Sequence, residues 1–549
     1  MRFLKFILPT LIMGVSPYAH SLSQPDAGQI LRDTLSQPPT PFESNLDLDI
    51  LTEPLIETAH GGRTVQITQV VFEGNSVIDS SALHKALGEL AAEPYDLAAM
   101  RALANKITLF YREQGYPFAR AYLPAQRLTD GKLIIALLEG RYGQVKAVGS
   151  HADKVQSFLH PLQPGSVIES NQLERVALII ADIPGIRVIP VLQPGAETGE
   201  ADLILEVTES EGFTGLVNID NHGNRFTGAK RLLGNVILHP RLVFGDQLSI
   251  SAMVTDENMV FGSLSYQLPV ASDGLIAELN YVRTEYELAK DFSVLEATGI
   301  AEVYSVGARY PIIRSQNANL ALSATLQYKR FNDEVGIQNS QRDNSSTALP
   351  IAFNFDKRDQ LGFGGISYGS ATFTWGNLHL ADTQDRINDE LTAQTQGQFQ
   401  KINLDVARIQ ALNTTFTGFA RLNRQWAKAN LDSSEKMSIG GPRAVRAYPI
   451  GEGSADRATL VQFELRYRLN HAISPYGFVD IARTEVNARP FDPNATNTRE
   501  YSGGGLGVRY NYQAWRSEVM AAWRWGGGQP VSDPRDDTPR LWANISYQF

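Results

Sequence analysis

Thr459-Leu460-Val461-Gln462-Phe463-Glu464-Leu465-Arg466-Tyr467-Arg468-Leu469 alternates with a period of two. Odd positions carry Thr459, Val461, Phe463, Leu465, Tyr467 and Leu469, and even ones include Gln462, Glu464, Arg466 and Arg468. Successive side chains of a strand point to opposite faces, so this segment has one apolar and one polar face. The pattern recurs. Leu320, Leu322, Ala324, Leu326 and Tyr328 oppose Ala321, Ser323, Thr325 and Gln327, and Leu506, Val508, Tyr510 and Tyr512 oppose Gly507, Arg509 and Asn511. After Glu211 helical spacing disappears, and about sixteen such segments of about ten residues run from Phe213 to Phe549. A water-soluble sandwich also alternates, but it rarely sustains strands of this length with aromatics at their ends. Hydrocarbon cannot satisfy an open sheet edge, so apolar-out, polar-in strands in an even number predict a closed barrel. Residues 212–549 are therefore expected to form a 16-stranded transmembrane β-barrel, and the chain as a whole to be mainly β.

The connections agree. Gaps after even strands are short, as at Asn470–Pro475 and Gln513–Trp515. Gaps after odd strands are mostly long: Lys329–Ser346, Gly376–Thr395, Ala427–Asp456 and Thr484–Glu500. Short turns on one side and long loops on the other is the asymmetry of outer-membrane barrels. The last segment, Leu541 to Phe549, alternates and ends on an aromatic residue, the usual form of a final strand. Trp542, Tyr547 and Phe549 are its candidate signal to the barrel-insertion machinery.

Ahead of the barrel the texture differs. Arg2 and Lys5, an apolar stretch from Phe6 to Val15 and Ala19-His20-Ser21 read as a secretory signal peptide over 1–21, cleaved after Ser21. The stretch is too short to span a bilayer and contains Pro9. Within 22–36, Ala27, Ile30, Leu31, Thr34 and Leu35 keep helical spacing after Pro25, and Pro38-Pro39 stops the pattern. Residues 37–63, with four prolines, read as an extended linker. Then comes a duplication. Gln69-Val70 and Gly74 recur at Gln144-Val145 and Gly149, 75 residues on. Residues 64–140 and 141–211 each read strand, helix, helix, strand, strand, which predicts two small α/β domains. Asp96 caps a helix that Gly115 ends, and Asn171 is the expected cap in the second copy.

Composition excludes several functions. The formal net charge is −10, so no basic stripe is available for nucleic acid. With no Cys, disulfide scaffolds, Cys-ligated metals and thiol catalysis are excluded. Gly365-Ile366-Ser367-Tyr368-Gly369 fits G-x-S-x-G but falls inside an alternating strand rather than a strand–turn–helix elbow. No phosphate-binding loop or H-E-x-x-H occurs, and the nine His are scattered. No catalytic set, metal or cofactor is expected, and transport would run without nucleotide bound by this chain.

The longest loop, 427–456, contains Val445-Arg446-Ala447-Tyr448 followed by Gly451-Glu452-Gly453. Here the chain resembles the transporters of two-partner secretion, the haemolysin-activator type within the outer-membrane assembly superfamily. Their sixth extracellular loop carries Val-Arg-Gly-Tyr and then Gly-Glu-Gly; Ala447 stands where the commonest form has Gly. The resemblance covers essentially the whole mature chain. It implies an N-terminal plug helix, two polypeptide-transport-associated (POTRA) domains in the periplasm and a sixteen-stranded barrel in the Gram-negative outer membrane. It also implies that the loop folds into the lumen, where its Arg meets an Asp on strand thirteen. The matching residues are Arg446 and Asp480; Asp480 shares parity with Tyr476 and Phe478, so its face stays open. The function implied is a pore that secretes a large unfolded exported partner, whether adhesin, cytolysin or contact-dependent toxin. A barrel-assembly factor of the same superfamily is the alternative. A passive channel fits poorly with the long N-terminal third.

Overall fold

The computed structural model describes residues 24–35, 37–42, 54–55, 57–239 and 242–549. The signal peptide (1–21) and most of the linker's middle lie outside the described residues. Helix α1, Ala27–Leu35, comes first. Asp26 accepts from the Gln29 N–H at 2.8 Å and caps it, so Pro25 sits just ahead of the helix rather than in its first turn.

The first α/β unit comprises β1 (Gln69–Glu73), α2 (Ser80–Leu87), α3 (Leu97–Glu113), β2 (Arg120–Tyr122) and β3 (Lys132–Leu138). The second comprises β4 (Arg141–Gly149), the short α4 (Ala152–Val155), α5 (Ser170–Ala181), β5 (Ile186–Pro194) and β6 (Glu200–Glu209). Their sheets have the same topology, β1-β3-β2 and β4-β6-β5, each with one parallel and one antiparallel pairing. The repeated glycine does the same work in both. Gly74 and Gly149 have φ of 85° and 95°, and a Cβ on either would strike the carbonyl of Leu137 or Val207. Asp79 and Asp96 cap α2 and α3. Asn171 does not cap α5: the helix starts one residue earlier, where the Ser170 N–H donates to Gly115 of the first unit at 2.9 Å. That inter-unit bond takes the place of a side-chain cap.

Sixteen strands follow. They are β7 (Phe213–Asp220), β8 (Arg231–Leu238), β9 (Gln247–Thr255), β10 (Val260–Pro269), β11 (Ile276–Glu287), β12 (Ala297–Arg314), β13 (Ala318–Val335) and β14 (Ser340–Asp359). The second half comprises β15 (Gly365–Leu380), β16 (Gly397–Ala411), β17 (Phe416–Ala427), β18 (Arg457–Tyr467), β19 (Ile473–Glu485), β20 (Thr498–Tyr512), β21 (Trp515–Gly526) and β22 (Arg540–Gln548). All pair antiparallel in sequence order, and β22 closes on β7. No helix among the described residues is long and apolar enough to cross a membrane; the strands alternate instead. Leu506, Val519, Leu541 and Phe463 point outward, while Gln462, Glu464 and Asp480 are buried inward. Phe416, Tyr467, Tyr512, Trp515 and Tyr547 gather at the short-turn end of the outer wall, as an aromatic girdle does.

One predicted loop is absent. Residues 329–346 are the paired continuation of β13 and β14, down to Val335↔Ser340. Strands of 18 and 20 residues outrun the hydrocarbon core of about 30 Å, so their ends leave lipid. There the outer face no longer needs to be apolar, and the alternation that marks a strand fades although the ladder persists. Likewise β19 and β20 shorten the predicted 484–500 gap, and helix α6 (Thr383–Leu391) fills much of 376–395.

The barrel seam is short, five residue pairs from Asn544↔Asp220 to Gln548↔Leu216. Phe549 extends it, exchanging main-chain bonds with Gly215 at 2.7 and 2.9 Å while its ring covers the Gly215 Cα. Gly215→Ile should displace that ring and lower the fraction of heat-modifiable, folded barrel recovered in membranes, with β7–β8 otherwise intact.

Candidate functional site

Between β17 and β18 the chain turns into the lumen instead of out of it. Met437 and Ala455 exchange main-chain bonds at 2.8 and 2.9 Å, and the N–H of Val445 donates to Ile439 at 2.8 Å. Gly451 and Gly453 have φ of 84° and 63°, the left-handed geometry for which glycine is suited.

The tip of this loop carries Arg446, 2% exposed. Its Nε and Nη2 donate to Asp480 at 2.8 and 2.6 Å, a bidentate pair, and its own main-chain N–H adds a third bond at 3.0 Å. Nη1 donates to Glu464 at 2.6 Å. The guanidinium lies over the Phe478 ring, 3.6 Å from its centroid. Asp480 thus faces inward together with Tyr476 and Phe478, and the inward aromatics serve the charge: Phe478 supports Arg446 and Tyr476 underlies Arg509. Each acid is itself satisfied. Gln462 donates to Asp480 at 3.2 Å, and Glu464 also receives Arg466 and Arg509. A planar fork is suited to this pattern; a lysine would supply a point charge only.

The neighbouring loop residues close the tip. Val445 and Tyr448 are fully buried. Ala447 has no positive φ, and its methyl packs on Gly503, where a second Cβ would collide with it. The glycine missing from the loop has a counterpart in the wall. The Tyr448 hydroxyl donates to the carbonyls of Gly526 and Gly528 at 2.6 and 3.0 Å. Trp542 points into the lumen, opposite Tyr547 and Phe549, and its Nε1 donates to the Arg446 carbonyl at 2.7 Å. The three residues therefore do not share a face; Trp542 binds the loop. Glu452 is more than a turn residue. Fully buried, it accepts from Arg499 at 2.7 Å, from the Val531 and Ser532 N–H groups at 2.9 Å and from the Ser532 hydroxyl at 2.7 Å, tying this loop to the last one.

Helix α1 occupies the lumen beside the loop. Ala27, Ile30 and Leu31 bury against Phe261, Tyr286 and Phe331 of the inner wall and against Phe226 and Phe292 of the β7–β8 and β11–β12 loops. Asp333 accepts from the Ala27 N–H at 2.9 Å, and Arg32 donates to the Ser433 carbonyl and Ser454 hydroxyl at 2.7 and 2.8 Å. Glu435 of the loop is in turn held by Lys329 and Lys401 from the wall at 2.6 and 2.8 Å. A nine-residue helix is marginal in water, and here the loop and wall supply its partner surface.

Sequence reasoning missed Glu464, Phe478, Arg509 and Arg499. The only available signal for Glu464 was parity, since it lies on the polar face of the strand quoted first. Ser367, the third residue of β15, accepts from Arg408 at 2.7 Å and forms no nucleophile elbow.

Glu452→Ala should leave Arg499 and two N–H groups without their acceptor. A buried charge deprived of its partner costs about 3–5 kcal/mol, reduced here by lumen water. The urea midpoint of the barrel in detergent should fall, and loop 428–456 should become cleavable by added protease.

The family model described as haemolysin secretion/activation protein ShlB/FhaC/HecB matches residues 199–510, and that of the ShlB-type POTRA domain matches 65–140. The chain is 27% identical over 486 residues to the heme/hemopexin transporter protein HuxB of Haemophilus influenzae, covering 85% of this chain and 83% of that one. It is 23% identical over 448 residues to the outer membrane transporter CdiB of Dickeya dadantii, covering 80% and 74%. CdiB from Escherichia coli has the same fold, with a TM-score of 0.73 at 18% identity over 95% of this chain and 96% of that one. The chain belongs to the haemolysin secretion/activation family ShlB/FhaC/HecB, and is an outer-membrane transporter of a secreted partner protein whose α/β domains stand in the periplasm.

Proposed function

We propose that this transporter captures a large unfolded exoprotein at its periplasmic domains and passes it through the barrel lumen once α1 has left and the Arg446 loop has shifted. The observation that carries this reading is the filled lumen. A helix and a loop inside the barrel, each held by apolar contacts together with ion pairs and hydrogen bonds and neither of them part of the barrel sheet, form a closure that can be withdrawn. A barrel-assembly factor of the same superfamily is the alternative; two periplasmic α/β domains and an N-terminal helix favour secretion. The relative HuxB is named for heme/hemopexin transport; for this chain the cargo is a large exoprotein of the classes the resemblance implies, an adhesin, cytolysin or contact-dependent toxin. No nucleotide need be bound; folding of the cargo outside would draw it forward.

Capture would begin at the first POTRA domain. A cavity of about 550 Å³ runs between α3 and the short edge strand β2, lined by Leu97, Met100, Ala104, Tyr122 and Leu128. Pro54 and Leu55 of this chain's own linker lie against it, which suits an extended apolar segment of cargo. The linker is also fixed at the start of α3, where Asp96 accepts from Ala99 and Gly61; those bonds hold its carboxyl below the usual range.

Within this scheme Arg446, Asp480, Val445, Ala447 and Tyr448 set the resting position of the loop, and Gly451, Glu452 and Gly453 its turn. Tyr547 and Phe549 would present the final strand to the insertion machinery. Arg446→Ala should assemble a barrel but secrete poorly, by at least tenfold in cargo reaching the medium, and Arg446→Lys should fall between. Immunoblots of medium, periplasm and membrane at matched transporter levels would check this; normal secretion by Arg446→Ala would remove the lock from the mechanism.

A further inference from the structure

The linker leaves the barrel at a site built to hold main chain. The Phe42 N–H donates to Asp356 at 2.6 Å, and Arg358 reaches the Phe42 carbonyl at 3.4 Å. Asp356 is 2% exposed, and its other oxygen receives the Asn319 amide at 2.8 Å. The Phe42 ring lines a cavity of about 250 Å³ between the second POTRA domain and the barrel base, with Phe158, Ile179, Ile183 and Pro311.

The same carboxylate is wired to that domain. Asn319 is oriented by Arg314, whose Nη1 donates to its carbonyl oxygen at 2.9 Å. Arg314, 5% exposed, makes a bidentate pair with Asp182 at the end of α5, both bonds 2.7 Å. Around it Arg175 donates to the Ile312 and Pro311 carbonyls at 3.1 and 2.8 Å, and Glu174 accepts from the Gln316 N–H at 2.7 Å. The β12 ladder is irregular between Pro311 and Ile313, at the point where α5 grips it.

We propose that Phe42 is a latch: Asp356 and Arg358 clamp the linker there and keep α1 in the lumen, and the Asp182–Arg314–Asn319 relay makes the clamp depend on the seating of the second POTRA domain. This rests on the reading of α1 as a plug. While the domain is docked, Arg314 is neutralised by Asp182 and Asn319 is held to Asp356, so the remaining carboxylate oxygen binds Phe42. When cargo tilts the domain, Asp182 withdraws. Arg314 then loses the Asp182 carboxylate, Asp356 is the acid at the other end of the Asn319 network, and the guanidinium turns to it and displaces the Phe42 N–H. The linker is released and the helix can follow it out.

The chain has no cysteine, so paired spin labels can be placed cleanly. Leu35→Cys on α1 and Asp273→Cys in the short turn between β10 and β11 would report, by pulsed EPR distances in detergent micelles, the fraction of helix inside the barrel. Phe42→Pro removes the donated N–H without touching the barrel. It should raise the out-to-in ratio about tenfold, the size expected for losing a hydrogen bond to a buried carboxylate, while Phe42→Leu leaves it near wild type. Asp182→Ala should do the same and Asp182→Glu should not, heat modifiability confirming a folded barrel in each. An unchanged distribution in Phe42→Pro overturns the latch, and a shift there without one in Asp182→Ala overturns the relay. Deleting residues 24–36 should give steady conductance in planar bilayers; if it does not, the plug reading fails and the latch with it.

Discussion

A barrel wall in lipid has no choice about where its polar side chains go, and the charge so collected must be neutralised inside. The bidentate contact of Arg446 with Asp480 is where this constraint becomes mechanism. Asp480 and Glu464 come from adjacent strands, with Glu464 paired to Phe478 and Gln462 to Asp480 across the ladder. Two buried carboxylates side by side on one wall call for a cation, and the wall's own Arg509 and Arg466 satisfy only Glu464. The cation for Asp480 arrives on a loop. A loop that carries a required counter-charge is held in the lumen by electrostatics, yet remains separable from the wall because it is not part of the sheet.

Everything else in the lumen is arranged around that loop. Trp542 of the closing strand caps the Arg446 carbonyl, Tyr448 and Glu452 bind the last long loop, and Glu435 sits between Lys329 and Lys401. Helix α1 rests on the loop through Arg32 and on the wall through Ile30 and Leu31. Gly28 and Gly451 show how close this fit is: a Cβ on Gly28 would come within 3.0 Å of Ser434, and one on Gly451 within 2.8 Å of the Gln29 side chain. Helix, loop and barrel closure therefore form one network, so a disturbance at the loop tip is felt at the seam as well as at the plug.

The barrel was legible because lipid imposes a period of two over every strand, and Asp480 falls on the thirteenth of sixteen. The repeated α/β unit was legible through Gly74 and Gly149, whose backbone geometry tolerates no side chain. What escaped lies where those constraints lapse. Beyond the hydrocarbon core, 329–346 stays paired without an apolar face, so strand looked like loop. Inside the lumen, aromatic residues need not face lipid, which is why Tyr476 and Phe478 gave no guide to the face of Asp480. Glu464 and Arg509 resembled any other polar lumen residue until the loop was placed against them. Trp542 shares a strand with Tyr547 and Phe549 but differs in parity, and that parity assigns it to the loop.

The claim that the helix must leave the loop for cargo to pass can be tested with a reversible bond. The Cβ of residue 28 would stand 3.0 Å from that of Ser434. A shift of about half an ångström reaches disulfide geometry. In a Gly28→Cys, Ser434→Cys variant, secretion should stop when the bond is formed and resume on reduction, with the barrel folded throughout. Undiminished secretion by the oxidised form would contradict the account.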